Sequence, residues 1–505
     1  MKISNLFLLV SSLTTAVIAK PSVCWSEKFN IPCCKSTKVV EKTTYDGQFG
    51  KENGEWCGIG ETTRPKDDIP PPPPPPSDLD SMVDPAADCD ITDSITGDSL
   101  AKLAPFRFGV GLNGVNISGF TTSSKKMMEL INYQFNSFTY SNGMKPGFIM
   151  DHEGSLKNLS EGREEIALNF SGIIDGLEFA KKNGMHIRGH VLVWHNQTPD
   201  WFFRKDFDTE KAYADVETIF VRLESYMKQF FDFLNFYYPG VVDSFDVVNE
   251  AIEVREGKFD NTSGWYTRTT TLEGWDNIWN TLVGPSYVVR SFRIARKYAL
   301  PTTQLVYNDV DTFMTEPHDK TQAIIDLMNI LKSEDLVDVL GMESYIDQDL
   351  DNIDSPESYA RALERFTEAG LQLQITEFTI YNDDREDWLE TQTQRYKDFF
   401  QVVIDHVKKG NNNIQSFTVF GLQDGYRFYS YDGTKTRLFD HDLQKKPNYY
   451  AIMEILKQYN EELGTTTNTT NTTQISENTY NIDNDNEIDN DNDDIEIETN
   501  YIVFE

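Results

Sequence analysis

Apolar runs rich in Val, Ile and Phe recur along the middle of the chain, each followed by a longer segment with helical spacing. Eight of them fall at 106–113, 137–141, 186–194, 241–250, 304–309, 338–344, 372–378 and 414–422. Runs of this length predict strands buried on both faces, as in a parallel sheet. Between them apolar residues return every three or four positions. Phe170, Ile173, Ile174, Leu177 and Ala180 form one stripe, closed by Asn183-Gly184; Val288, Phe292, Ala295 and Ala299 form another, entered through Pro285-Ser286. Asn-Gly closes a helix because glycine takes the left-handed conformation there without steric cost. This alternation over 91–460 predicts an α/β fold, a (β/α)8 TIM barrel. A doubly wound open sheet shares the alternation, but no glycine-rich phosphate turn follows the first run.

The two ends of the chain break the pattern. Lys2 precedes a short apolar run at 6–17 that ends in Val17-Ile18-Ala19, which predicts a signal peptide over 1–19 and a secreted, extracellular protein. Cys24, Cys33, Cys34 and Cys57 follow closely, and in an oxidising compartment that density predicts a small disulfide-rich module over 20–61. With a vicinal bridge excluded as strained, the pairing is 24–33 with 34–57, or 24–34 with 33–57; a zinc site is the competing arrangement. Cys89 is left over, either buried or free. The unbroken prolines at 70–76 predict an extended, semi-rigid spacer within a linker at 62–90. From 461 to 505 there are thirteen acidic residues and no basic ones, a composition that predicts a disordered tail.

Charge narrows the function. With 46 basic and 81 acidic residues the net charge is −35, which excludes a nucleic-acid partner. Only the leader is apolar enough to enter a membrane, so no membrane partner is expected. In a barrel the chemistry gathers at the C-terminal strand ends. Those ends carry His190, Trp194 and His195, then Asn249-Glu250, Tyr307-Asn308-Asp309, Glu343-Ser344-Tyr345, Glu377 and Phe420. Glu250 and Glu377, on the fourth and seventh runs, suit glycoside hydrolysis, in which one carboxyl protonates the leaving oxygen while another attacks the anomeric carbon. His190 and His195, five apart on one strand, are expected on opposite faces, which argues against a shared metal. Tyr307-Asn308-Asp309 reads at least as well as a structural rim as a substrate contact. Carboxyl chemistry of this kind needs no cofactor and no metal.

At these residues the sequence resembles glycoside hydrolase family ten, the retaining endo-β-1,4-xylanases. Gly-His-Val-Leu-Val-Trp-His-Asn-Gln-Thr-Pro at 189–199, Asp-Val-Val-Asn-Glu-Ala at 246–251, Gln-Ile-Thr-Glu at 374–377 and Pro-Asn-Tyr-Tyr-Ala at 447–451 carry the resemblance. It implies Glu250 as acid/base, Glu377 as nucleophile and Asn249 as partner of the sugar 2-hydroxyl. It also implies His190, Trp194 and Gln197 beside the scissile bond, Asn142 and Lys145 at the next sugar, and xylan or a related β-1,4-glycan as substrate. The chain departs from the family at Ser141, Pro146, Glu343 and Tyr345, and at Phe420 and Phe428, where two tryptophans are usual; Tyr345 keeps a donor for Glu377. These swaps bear on substrate preference and turnover, and leave a carbohydrate-binding protein with little catalysis as the alternative. The N-terminal residues Cys24-Trp25, Cys33-Cys34, 46–50 and 52–59 resemble the dockerin of anaerobic gut fungi, which implies a cellulosome-like scaffold protein as partner. Trp25 and Trp56 would suit a partner face, and equally the module's small core.

Overall fold

The computed structural model describes residues 24–78, 83–112, 121–271, 274–315, 318–346, 355–381, 386–425 and 435–477. The signal peptide expected at 1–19 and the tail beyond 477 lie outside them. Eight parallel strands close into a barrel in chain order: β1 (Arg107–Leu112), β2 (Ser137–Tyr140), β3 (His186–Gly189), β4 (Val242–Asn249), β5 (Gln304–Asp309), β6 (Val339–Met342), β7 (Leu373–Ile380) and β8 (Ile414–Val419). Parallel pairing of β8 with β1, from Ser416 with Arg107 to Val419 with Val110, completes the closure. Each strand lies within one of the apolar runs or within two residues of it, because strands covered on both faces need unbroken apolar sequence.

The third run is the exception. Its regular pairing stops at Gly189, and the chain rejoins β4 only at Val193–Trp194, opposite Val248 and Asn249. The gap holds the polar His190 at the barrel mouth. Both histidines consequently approach the site carboxylates, His190 near Glu377 and His195 near Glu250, instead of pointing to opposite faces. The opposite-face expectation assumed a continuous pleat, and the interruption removes that premise.

The helices follow their stripes. α1 (Ile174–Asn183) ends on Gly184 at φ 65°, and its buried face includes Ile174, Gly176, Leu177 and Ala180. Val216–Tyr237 forms α2. α3 (Tyr287–Tyr298) buries Val288, Phe292 and Ala295, while Ala299 lies at its C-cap. The last helix, α4 (Pro447–Glu477), runs past the expected domain end at 460 and into the segment expected to be disordered. Gly464 and the Thr/Asn run at 465–473 are poor helix formers, and the continuation there follows from extending an existing helix being far cheaper than nucleating one. No helix among the described residues is long and apolar enough to cross a membrane.

The N-terminal module is a three-stranded antiparallel sheet of Lys42–Thr43, Gln48–Glu52 and Glu55–Ile59. Disulfides Cys24–Cys33 and Cys34–Cys57 staple it, which selects one of the two expected pairings over the other and over a zinc site. Cys89 is buried outside both bridges. Phe29, Ile31 and Phe49 form the module's core, and Leu300 of the barrel completes it. Trp25 packs edge-on to Phe49 at 5.1 Å, so it belongs to this core and is not an open platform. The module and linker lie against the barrel. Tyr45 N–H donates to Lys297 O at 2.7 Å, Tyr237 O–H to Pro70 O at 2.7 Å, and Ser77 N–H to Asp175 Oδ1 at 2.7 Å. The semi-rigid spacer expected from the proline run thus has contacts to the barrel surface at Pro70 and Ser77.

Candidate active site

Closure of the barrel brings the C-terminal strand ends around one cleft of about 330 Å³. Nine of the twelve expected catalytic and substrate residues line it: Lys145, His190, Trp194, Asn249, Glu250, Glu343, Tyr345, Glu377 and Phe420. Asn142 and Gln197 do not. Asn142 opens the turn that aims Lys145 inward, its carbonyl accepting from Lys145 N–H at 2.8 Å. Gln197 sits on a left-handed turn, φ 57°, that carries its side chain to the surface. Phe428 lies outside the described residues.

The two carboxyls have different surroundings. Glu250 directly follows β4, is 4% exposed, and adopts φ 51°, a conformation costly for a residue with a Cβ and one that turns its side chain into the cleft. Asn249 Nδ2 donates to its Oε1 at 3.0 Å; Oε2 has no hydrogen-bond partner and lies 3.7 Å from His195 Nε2. Burial pushes the Glu250 carboxyl up to about 7; Arg268 and Lys320 oppose the rise while Asp309 and Glu377 add to it. His195 goes the other way, down to about 3, through burial and the nearby cations Arg268 and Lys320. It therefore stands neutral beside Glu250. Glu377, on β7, receives Tyr345 O–H on Oε2 at 2.6 Å, while its Oε1 has only long contacts, Asn308 Nδ2 at 3.5 Å and His190 Nε2 at 3.9 Å.

Asn308 is the hub that strand-end reading left as a rim residue. Its amide donates to Asn249 Oδ1 and to Glu343 Oε1, both at 2.8 Å, and its own Oδ1 accepts from Thr376 at 2.8 Å. A chain of hydrogen bonds therefore links Glu250 through Asn249 and Asn308 to Glu343. The Glu343 carboxyl is pushed well above the usual range by burial and by the neighbouring Glu377 and Glu250. Behind the cleft Arg188 donates to Asp246 Oδ1 at 2.6 Å, and Asp246 Oδ2 lies 2.9 Å from His190 Nδ1, which fixes that ring with Nε2 toward Glu377. Lys145 lies 4.6 Å from the Trp194 ring centroid; burial lowers its ammonium while Glu377, Glu343 and Glu250 counter that shift.

Sequence reading missed three contributors. Tyr381 joins the cleft wall and stacks on Tyr345 with centroids 5.8 Å apart. Lys320 pairs with Asp309 at 2.8 Å, and Arg268 donates to the Glu250 carbonyl at 2.9 Å. Lys320 and Arg268 do not follow barrel strands, so strand-end position gave no signal for them; Tyr381 directly follows β7, but the apolar run was read as ending at 378, three residues short of it. Among the described residues no cluster of His, Cys, Asp and Glu has the arrangement of a metal site.

An arrangement of one buried carboxyl pushed up to about 7 and a second carboxyl held by a phenol, in a cleft walled by Trp, Tyr and Phe, can cleave an acetal. Comparison with known proteins agrees. Residues 99–455 match the family model "Glycosyl hydrolase family 10", and 23–59 match "Cellulose or protein binding domain". The chain is 36% identical over 345 residues to endo-1,4-beta-xylanase B of Butyrivibrio fibrisolvens, covering 68% of this chain and 51% of that protein, so it spans about half of that relative's length. It is 37% identical over 323 residues to a putative endo-1,4-beta-xylanase of Caldicellulosiruptor saccharolyticus, covering 62% of this chain and 96% of that one. Among solved structures, the CBM22-1 and GH10 modules of endo-1,4-beta-D-xylanase 10B of Clostridium thermocellum, complexed with xylohexaose, superpose with a TM-score of 0.61 at 28% identity, over 71% of this chain and 67% of that one.

Proposed function

The chain belongs to glycosyl hydrolase family 10, and from that membership we propose that it is an endo-1,4-β-xylanase acting by double displacement. The observation that carries this reading is the pair Glu250 and Glu377, both buried in one cleft and differently poised. In the first step Glu377 Oε1, the oxygen without a short contact, attacks the anomeric carbon. The bond from that carbon to the leaving xylosyl oxygen breaks, and the Glu250 proton moves onto that oxygen. In the second step Glu250, now the base, takes a proton from water, whose oxygen attacks the same carbon and releases Glu377. Two inversions leave the anomeric configuration retained. Asn249, held by Asn308, meets the sugar 2-hydroxyl, and Trp194 with Tyr345 and Phe420 walls the sugar rings. Tyr345 orients Glu377 through one oxygen and leaves the other for attack.

The test is a product profile of the full chain on xylan, with cellulose and mixed-linkage glucan in parallel. Xylo-oligosaccharides of mixed length, absent with Glu377→Ala, are expected. Release from another glucan but none from xylan would overturn the substrate, and silence on all three would overturn the activity.

The leader at 1–19 supports secretion. The module's match to a cellulose or protein binding family, together with its dockerin-like cysteine pattern, supports docking onto a scaffold protein of a multi-enzyme complex. Val39 and Val40, both exposed on the module, lie on surface open to such a partner. Tight association of the full chain with insoluble cellulose, without any scaffold, would favour the other half of that family's description.

A further inference from the structure

A second cavity, of about 520 Å³, lies at the opposite end of the barrel, where the strands begin and the N-terminal module covers them. It is larger than the catalytic cleft and its wall is built from both parts of the chain: Trp56 of the module faces strand-start residues of the barrel. This end of a barrel ordinarily serves stability and is filled by packed side chains. Here most of the lining side chains are polar, and several of their hydrogen-bonding groups are unspent.

Ser137, Ser244 and Ser416 are 2%, 1% and 3% exposed, and none of their hydroxyls has a hydrogen-bond partner. Arg188, 3% exposed, leaves one guanidinium nitrogen unpartnered, and Asp243 leaves one carboxylate oxygen so. Each buried polar atom left unsatisfied costs about 1–3 kcal/mol, so a cluster of them around one space marks a place where polar groups are supplied from outside. The amides add to it: Gln374 accepts from Arg188 at 2.6 Å, and its own amide is shared between Gln304 and Gln415 at 3.3 Å each.

The charges here are already matched. Arg107 and His186 both pair with Asp243, and Arg188 pairs with Asp246. No net field remains to select a phosphate or a cation. Hydroxyls, amides and an indole at the rim are instead the groups that recognise a neutral polyol ring: the hydroxyls of the ligand meet the polar atoms and its apolar face meets the Trp56 ring. An approach exists, since the Arg107 and His186 side chains at the edge are 38% and 36% exposed.

We propose that this cavity between Trp56 and the N-terminal ends of the strands is a separate carbohydrate site, taking a short neutral oligosaccharide. It stands whether or not the catalytic cleft cleaves xylan, because it shares no lining residue with that cleft. It also gives the module a role in cis: its tryptophan completes a binding surface that the barrel alone leaves open.

Calorimetric titration of the full chain tests it. Glu377→Gln is used as the background, so that a xylotriose or cellotriose probe is not consumed. The expected result is two binding events per chain with at least one of these sugars. Gln415→Ala and Trp56→Ala are each expected to weaken one event at least ten-fold and leave the other, with xylan hydrolysis in the wild-type background unchanged. Trp56→Ala also risks the module's fold; Gln415, on a barrel strand, does not, and its result alone decides. A single event unaffected by Gln415→Ala, or a crystal soaked in either sugar that shows ordered water only in the cavity, would overturn the proposal. Loss of hydrolysis without loss of the second event would count against the cleft's function and not against this site.

Discussion

At the scale of single residues, the site is governed by where protons rest. Glu250 at about 7 stays protonated through mildly acidic conditions, so kcat/KM on xylan is expected to fall roughly ten-fold per pH unit above about 7. A pH–rate profile checks this, and an alkaline limb near 5 would contradict it. The same burial has a stability cost. Glu250 and Glu343 both titrate higher in the folded chain than their ordinary 4.5. Between 4.5 and the raised value the unfolded chain gives up its proton first, so stability is full below 4.5 and declines as pH rises through that window. Glu343→Gln removes one of the two titrations while keeping an acceptor for Asn308 at 2.8 Å. It is expected to raise the melting temperature at pH 7 by roughly 1–3 °C, to leave it unchanged at pH 4, and to flatten the pH dependence between. Equal melting temperatures at both pH values would show that Glu343 does not hold the extra proton. Glu250, Glu377 and Glu343 were all named from sequence because each stands at or near the end of an apolar strand run. Asn308 stood in plain view at such a position too, but its role depends on reaching three strands at once, which spacing along one strand does not report.

At the scale of elements, the contact between α1 and β2 is set by a missing side chain. A Cβ built on Gly176 falls 1.8 Å from the Tyr140 hydroxyl, which itself donates to Ile173 O at 2.8 Å inside the same helix start. Gly176 has no unusual backbone; it is there for close approach. Gly176→Ala is expected to force the helix outward or break that buried hydrogen bond, at a cost of about 1–3 kcal/mol despite alanine's better helix propensity. Denaturant unfolding would read it, and a neutral or stabilising result would mean Tyr140 can swing aside. The stripe that predicted α1 contains this glycine but gives no hint of its purpose, because periodicity reports which face is buried and not what it meets. Strand prediction shows the same boundary. Parallel strands announce themselves by unbroken apolar sequence, so all eight were readable. Val191, Leu192 and Val193 also read as strand, yet the ladder is broken around His190, and it is this break that delivers His190 and His195 to the two carboxyls.

At the scale of the whole unit formed by residues 1–456, the module and barrel are joined by one buried charge that sequence could not announce, since its partners lie far apart in the chain. Arg64, 6% exposed, donates to Asp46 of the module at 2.6 Å and also to Asp232 of α2. Lys228 supports the same group, pairing with Asp232 at 2.7 Å and Asp68 at 2.9 Å. Burial alone would lower the Arg64 guanidinium, but Asp232 and Asp46 outweigh it and keep the charge in place. Removing the arginine leaves Asp46 buried without its partner while Asp232 keeps Lys228, and stranding that buried carboxylate is far costlier than never having built the group. Arg64→Ala is therefore expected to lose about 3–5 kcal/mol at neutral pH. Burial already holds the Asp46 carboxyl above its ordinary value, and without Arg64 it would rise further; that cost is absent in acid and grows as pH rises, so the deficit relative to wild type should shrink toward pH 3. A lost-packing effect would be the same at every pH, and the comparison of urea midpoints at pH 3.5 and pH 7 separates the two. Protease cleavage within 62–78 should accelerate as the module lifts, while initial rates on xylan stay within about two-fold, because the module covers the strand starts and the chemistry sits at their ends. A matching fall in hydrolysis would mean instead that the base of the barrel is coupled to Glu377 through Arg188, Asp246 and His190.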